Sequence, residues 1–163
     1  QSLDEVAEPP LFLNGVSGLG APWWIADFRS HFLCASEDSA SPSQDAAEKM
    51  TAVIESIVFM LQTNFELCVA AAGMPERWLL SGGLSALDGL CQRLADISGV
   101  PVMRPDVDEA TACGVSYLLG VGSSLPAPDA DESVFVPQTN PNLEHRYLRW
   151  RYAMAECITA ECN

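Results

Sequence analysis

The most regular hydrophobic pattern in the chain runs from Met50 to Cys68, where Met50, Val53, Ile54, Ile57, Val58, Leu61, Phe65 and Cys68 recur at intervals of three and four. That period predicts one long amphipathic helix. Ser41-Pro42-Ser43-Gln44 puts a serine at an N-cap, a proline at the first helical position and a glutamine three residues after the cap, so the helix is predicted to start there. Gly73, followed by Pro75, is predicted to stop it. Upstream, Leu11-Phe12-Leu13-Asn14-Gly15 reads as a short apolar strand. It breaks into a glycine-rich loop, Ser17-Gly18-Leu19-Gly20-Ala21-Pro22-Trp23-Trp24.

Downstream, Arg77-Trp78-Leu79-Leu80-Ser81 is a second short strand, and Gly82-Gly83-Leu84-Ser85 leads into a helix with Leu87, Leu90, Cys91, Leu94 and Ile97 on one face. Ser85 and Asp88 are its predicted capping pair, and Gly99 closes it. Val100-Pro101-Val102-Met103 is a further strand, and a third helix is predicted from near Glu109 to about Leu119. Strand, helix, strand, helix implies an α/β unit. From Ser123 to Pro141 the chain turns to proline, aspartate, serine and asparagine, which reads as a linker or an extended surface strand. Asn140-Pro141 then caps a last helix whose Leu143, Tyr147, Trp150, Met154 and Cys157 form an apolar stripe, with Arg146, Arg149 and Arg151 placed largely on other faces. The simplest role for that stripe is docking on its own domain.

Composition narrows the class. At 163 residues, 48% hydrophobic and 18% charged, the chain has the size and apolar content of one folded domain. The 22 acidic against 8 basic residues give a net charge of −14, which disfavours nucleic acid and anionic membranes as partners. A small anion such as a nucleotide stays open, since backbone N–H groups, helix N-termini and a divalent cation can hold it without a basic surface. Cys34, Cys68, Cys91, Cys113, Cys157 and Cys162 form no CxxC pair and no alternation with histidine, so a zinc site is not expected. Their mostly apolar neighbours suggest buried thiols and a reducing, cytoplasmic setting. No run of about 18 apolar residues is evident in the sequence, and the first residues lack a basic leader. An opening at Gln1 without methionine is compatible with a fragment, a processed chain or a chosen boundary.

Candidate chemistry centres on Leu79-Leu80-Ser81-Gly82-Gly83-Leu84-Ser85: an apolar strand end, two glycines and a helix start. Paired glycines let a ligand approach the backbone, and a helix opening at Ser85 would aim its positive end at the loop, a geometry suited to phosphates or a purine ring. Glu109 reads as a cap on the third helix, whose Ala110, Ala112 and Gly114 keep its surface low enough for close packing of another backbone. The glycines at 15, 18 and 20 read most simply as a packed turn, with Trp23 and Trp24 as flat apolar cover.

Taken in order, these segments resemble the C-terminal domain of the FGGY carbohydrate kinases over about residues 11 to 155. The matching pieces are Ser17 to Trp24, Ile54-Glu55-Ser56-Ile57, Ser81-Gly82-Gly83 with Gln92 and Ala95-Asp96, Gly99-Val100-Pro101-Val102 with Glu109-Ala110-Thr111-Ala112-Cys113-Gly114, and Phe135-Val136-Pro137 with Arg146-Tyr147-Leu148-Arg149-Trp150. The resemblance implies an α/β, ribonuclease-H-like lobe of the actin and hexokinase type, partial, with a long helix and a C-terminal helix. It divides the chain into a flexible segment 1–10, a kinase-domain part 11–122, a linker 123–141 and a docking helix 142–163. It also implies phosphoryl transfer from ATP with Mg2+ to a sugar or polyol hydroxyl. Gly82 and Gly83 are the implied nucleotide-binding residues, with Leu87 as an apolar contact where relatives commonly carry an adenine-side asparagine.

Catalytic and sugar-binding groups are implied to come from an N-terminal domain with no counterpart here, so no catalytic residue is nominated and the chain alone is expected to be inactive. A homo-oligomer is compatible with this reading. Ile25, Ser30 and Leu87 depart from the family pattern, and they favour the rival reading of a non-catalytic actin-like scaffold or regulatory module.

Overall fold

The computed structural model describes residues 9–34, 45–105, 110–120 and 133–161. They fall into two compact units, Gln1–Gly73 with Asn140–Asn163, and Met74–Thr139. The boundary at Gly73 lies inside the segment 11–122 read above as one domain part, and the C-terminal helix belongs to the first unit.

In the first unit, β1 (Leu11–Leu13) pairs antiparallel with β2 (His31–Leu33), Leu11 opposite Leu33 and Phe12 opposite Phe32. All three residues of β1 are buried, between α1 (Ala46–Ala72) and α4 (Pro141–Glu161). The cap of α1 is Asp45 and not Ser41. Its backbone is extended and its Oδ1 accepts from the N–H groups of Ala47 at 2.8 Å and Glu48 at 3.1 Å. A carboxylate there both fills orphan donors and complements the positive helix end. Residues 41–44 lie outside the described residues. Gly73 ends the helix at φ 87°, its N–H bonded to Val69 O, as the sequence predicts.

α1 is long and apolar enough to cross a membrane by length and composition, which corrects the expectation of no such segment. Its buried face nevertheless carries Thr51, Glu55, Ser56 and Gln62 among Ile54, Val58, Phe59 and Phe65. Polar groups buried in this way need partners inside the protein, the condition of a core helix.

α4 follows its predicted stripe. Asn140 Oδ1 accepts from Leu143 N–H at 3.2 Å, and Leu143, Tyr147, Trp150 and Met154 are buried. Trp150 is fully enclosed: its indole N–H donates to Phe12 O at 3.0 Å, and its ring lies 5.7 Å from Phe59 and edge-on to Trp23 at 6.2 Å. Burial, with Glu66 beside it, pushes the Tyr147 phenol up to about 12, while a bond with Thr63 opposes the shift. The prediction that Arg146 lies off the buried face is wrong. Its guanidinium is buried and donates to Glu55 Oε2 through Nε at 2.9 Å and Nη2 at 2.6 Å, to Pro9 O at 2.6 Å and to Pro10 O at 3.2 Å. Proline carbonyls have no ladder to join in this segment, so a fork of fixed donors satisfies them.

The second unit is a strand, helix, strand motif with an added edge. β3 (Trp78–Leu79) runs parallel to β4 (Val102–Arg104), and β5 (Ser133–Phe135) pairs antiparallel with β4. α2 (Asp88–Ser98) connects β3 to β4, burying Leu90, Cys91, Leu94 and Ala95 and ending at Gly99 in the left-handed region. β5 is the extended surface strand of the proline- and aspartate-rich segment, and residues 121–132 lie outside the described residues. Asp96 Oδ1 fixes its exit, accepting from Gln92 Nε2 at 2.7 Å and from Gln138 N–H at 3.0 Å.

Close packing on α3 (Ala110–Leu118) is not found. None of its residues is buried, and a Cβ added at Gly114 would meet nothing within 4 Å. No described residue covers that small-residue face, and Glu109 lies outside the described residues. Of the cysteines, Cys34, Cys68, Cys91, Cys113 and Cys157 are free thiols, but only Cys91 is buried. Cys162 lies outside the described residues.

Candidate functional site

Two glycine-rich connections were singled out in the sequence, and the structure separates them. At Gly15 an added Cβ would clash with the Phe28 ring and come within 2.8 Å of Phe28 O. At Gly18, φ 83°, it would meet Ala26 O at 2.6 Å. Both glycines are therefore required by the chain's own packing. Leu19 and Ile25 exchange backbone hydrogen bonds of 2.7 and 3.0 Å across this loop, so Ile25 closes it. Trp23 turns toward Trp150, but Trp24, at φ 56°, is exposed and covers nothing among the described residues. The packed-turn reading holds for Gly15 and Gly18, whereas a Cβ added at Gly20 would meet nothing within 4 Å.

The Gly82-Gly83 connection is different. β3 is held to β4 by Trp78 N–H to Pro101 O at 2.8 Å and Leu80 N–H to Met103 O at 2.9 Å, so the strand delivers Ser81 at a fixed place on the sheet. Gly82 then adopts φ 100°, a conformation that side chains rarely tolerate. A single 3-10 turn, Gly83–Ala86, follows. Its entry is locked by Ser85, whose N–H and Oγ both donate to Gly82 O, at 2.9 and 2.7 Å. A Cβ added at Gly82 or Gly83 would meet nothing within 4 Å. Backbone conformation accounts for Gly82, whereas neither conformation nor packing among the described residues accounts for Gly83.

Ser85 is thus not the helix cap predicted from sequence. Its hydroxyl is spent as a donor to Gly82, and α2 begins at Asp88 after an extended Leu87 that makes no side-chain cap bond. Asp88 occupies the first turn of α2, which makes this helix end unfavourable for a second anion. The sequence-predicted residues Gly82, Gly83 and Leu87 do share one connection, where Leu84 and Leu87 are 52% and 39% exposed. The surface beside the bare glycines is therefore apolar on one part and carries the Asp88–Arg104 ion pair on another. Such a surface suits the flat face of a heterocycle better than a phosphate.

Arg104, at the end of β4, escaped the sequence reading. Its Nη1 donates to Ser85 O at 2.8 Å and to Asp88 Oδ1 at 2.7 Å, its Nη2 to Ser133 Oγ at 3.2 Å, and its guanidinium lies 5.3 Å from the Phe135 ring centre. Hydrogen bonding and charge from Asp88 raise its already high pKa, so it stays protonated. Cys91 Sγ reaches the same Ser85 carbonyl at 3.2 Å, and burial pushes this thiol up, keeping it a neutral donor. An isolated arginine following an apolar strand was the available signal. Its partners, distributed over three other segments, could not be read from spacing. Among the described residues no cluster of three metal-ligating side chains occurs.

The model of the FGGY family of carbohydrate kinases, C-terminal domain, matches residues 1–123. Glycerol kinase of Cereibacter sphaeroides (strain ATCC 17029 / ATH 2.4.9) is 34% identical over 160 residues, covering 92% of this chain and 31% of that protein. Glycerol kinase of Variovorax paradoxus is 38% identical over 120 residues, 71% of this chain and 23% of the relative. Among solved structures, Plasmodium falciparum glycerol kinase with ADP superimposes with a TM-score of 0.70 at 18% identity, covering 95% of this chain and 32% of its own. Ligand-bound xylulose kinase from Lactobacillus acidophilus gives 0.65 at 24% identity over 93% of this chain and 31% of its own. These structural likenesses identify the fold, part of a C-terminal lobe of the actin and hexokinase type. The chain spans about 31% of the length of the first curated relatives it matches. With the family model covering most of its residues, the chain belongs to the FGGY family of carbohydrate kinases and carries the C-terminal domain of that family.

Proposed function

We propose that this chain forms the nucleotide side of an ATP-dependent carbohydrate or polyol kinase, with Gly82, Gly83 and Leu87 against the adenine and ribose end of the nucleotide. The observation that supports it most is Gly83, whose missing side chain no described residue and no positive φ requires. ATP supplies the phosphoryl group, with Mg2+ on its phosphates, and such transfer depends on positioning and charge stabilisation more than on covalent chemistry by the protein. The role of this chain's residues is then to receive the base. Gly82 and Gly83 admit it to the backbone, Leu84 and Leu87 offer apolar surface, and Ser85 fixes the turn. The general base and the groups that recognise the sugar or polyol hydroxyl are assigned to an N-terminal domain, and a cytoplasmic setting fits the free thiols.

Gly83→Val tests the site with little disturbance of the fold, because the new side chain enters open space and the backbone there needs no positive φ. In the full-length form, the expected result is MgATP affinity about tenfold weaker, a change of ~1.4 kcal/mol, with a thermal midpoint within about 2 °C of the parent. Calorimetric titration reads the first and a melting curve the second. Unchanged affinity removes Gly83 from the site.

A further inference from the structure

We infer that Arg104 is the positioning residue that holds the Gly82 to Leu87 connection in its ligand-receiving shape, an inference that rests on the nucleotide reading above. The connection itself is short of anchors. Leu84, Ala86 and Leu87 are exposed, and neither glycine has a side chain to pack. Its inward anchors are Ser85, the one buried residue of the 3-10 turn, and the Ser85 carbonyl, which accepts from Arg104 and Cys91. Arg104 joins that carbonyl to Asp88 at the start of α2 and to Ser133 on β5, so one guanidinium ties the turn, the helix and the edge strand to the end of β4.

The bonds differ in weight. The Asp88 side chain is 75% exposed, so its ion pair with Arg104 adds little by itself. The charge-assisted bond to the Ser85 carbonyl is the one that fixes the turn, because the same residue holds Gly82 O through its N–H and Oγ. A planar fork can serve these separated acceptors at once. A lysine ammonium is a point charge on a flexible stem and can replace only part of this arrangement.

The test uses the full-length form, with MgATP as the probe in calorimetry and with steady-state kinetics for ATP and for the sugar or polyol acceptor. Arg104→Met is expected to weaken MgATP and raise its KM about tenfold while leaving the acceptor KM within about twofold. Arg104→Lys is expected to restore part of the loss, leaving affinity about threefold below the parent, and Asp88→Asn, which spares the Ser85 bond, to stay within about twofold. If the unsubstituted protein binds MgATP and both Arg104 variants bind it equally well, the inference is overturned while the nucleotide site stands. A parallel rise in acceptor KM also overturns it, since general loosening would then explain the effect. Failure of the unsubstituted protein to bind MgATP overturns the nucleotide reading and this inference together. Should Arg104→Met not fold, the lysine variant decides, with parental affinity counting against the role.

Discussion

Arg146→Met is expected to destabilise the first unit by about 3–5 kcal/mol, because it takes the guanidinium donors away from a buried carboxylate and two buried carbonyls. Glu55 is only 4% exposed and receives both Nε and Nη2 of Arg146, while Nη1 and Nη2 also serve Pro9 and Pro10. In a thermal melt this amounts to a fall of roughly 10 °C or more for a domain of this size. The paired change Glu55→Leu with Arg146→Met should recover much of the loss, since it removes the buried carboxylate together with its guanidinium partner. A melt of Arg146→Met within about 2 °C of the parent would show that the pair and its carbonyl bonds are dispensable.

Trp150→Ala should cost a similar amount, about 3–5 kcal/mol, through the cavity left by a fully enclosed indole. Part of that is the bond to Phe12 O, which leaves a carbonyl of the buried β1 strand unpaired. Trp150→Phe keeps most of the aromatic contact with Phe59 and isolates this hydrogen bond, with an expected loss of about 1–3 kcal/mol. Denaturant midpoints read both variants. The two sites lie one turn apart on α4 and serve neighbouring carbonyls of the same segment, so the effects of Arg146→Met and Trp150→Ala are expected to fall short of additive.

What the sequence made legible was local and periodic. The three-and-four spacing from Met50 to Cys68 located α1, although Met50 and Cys68 themselves are exposed, the Leu143 to Cys157 stripe located α4, with Cys157 only half-buried, and Gly73 and Gly99 ended their helices where a left-handed or open backbone was needed. Start signals were less reliable. Ser41-Pro42 and Ser85-Asp88 both looked like caps, yet Asp45 caps α1, and the Ser85 hydroxyl bonds the Gly82 carbonyl. A short polar side chain near a helix start can serve several backbone groups, and spacing does not choose among them. Arg146 and Arg104 were misplaced or missed because an arginine counts as polar in any periodicity. Their partners, Glu55, Pro9, Ser85 and Ser133, come from distant parts of the chain.

The site was legible in part for the same reason. Gly82, Gly83 and Leu87 adjoin in sequence and occupy one connection in the fold. Sequence could not distinguish Gly15 and Gly18, which the chain needs for its own packing, from Gly83, against which no described residue packs. It also placed the positive end of α2 at Ser85, where a phosphate would be favoured. In the structure α2 opens at Asp88, which already occupies that helix end.

The most direct measurement of the central claim is amide hydrogen exchange in the full-length form with and without MgATP. The account predicts that MgATP slows exchange across Gly82 to Leu87, leaves the packed loop Gly15 to Trp24 unchanged, and loses this protection in Gly83→Val. Saturating MgATP with no change in exchange across Gly82 to Leu87 would contradict it.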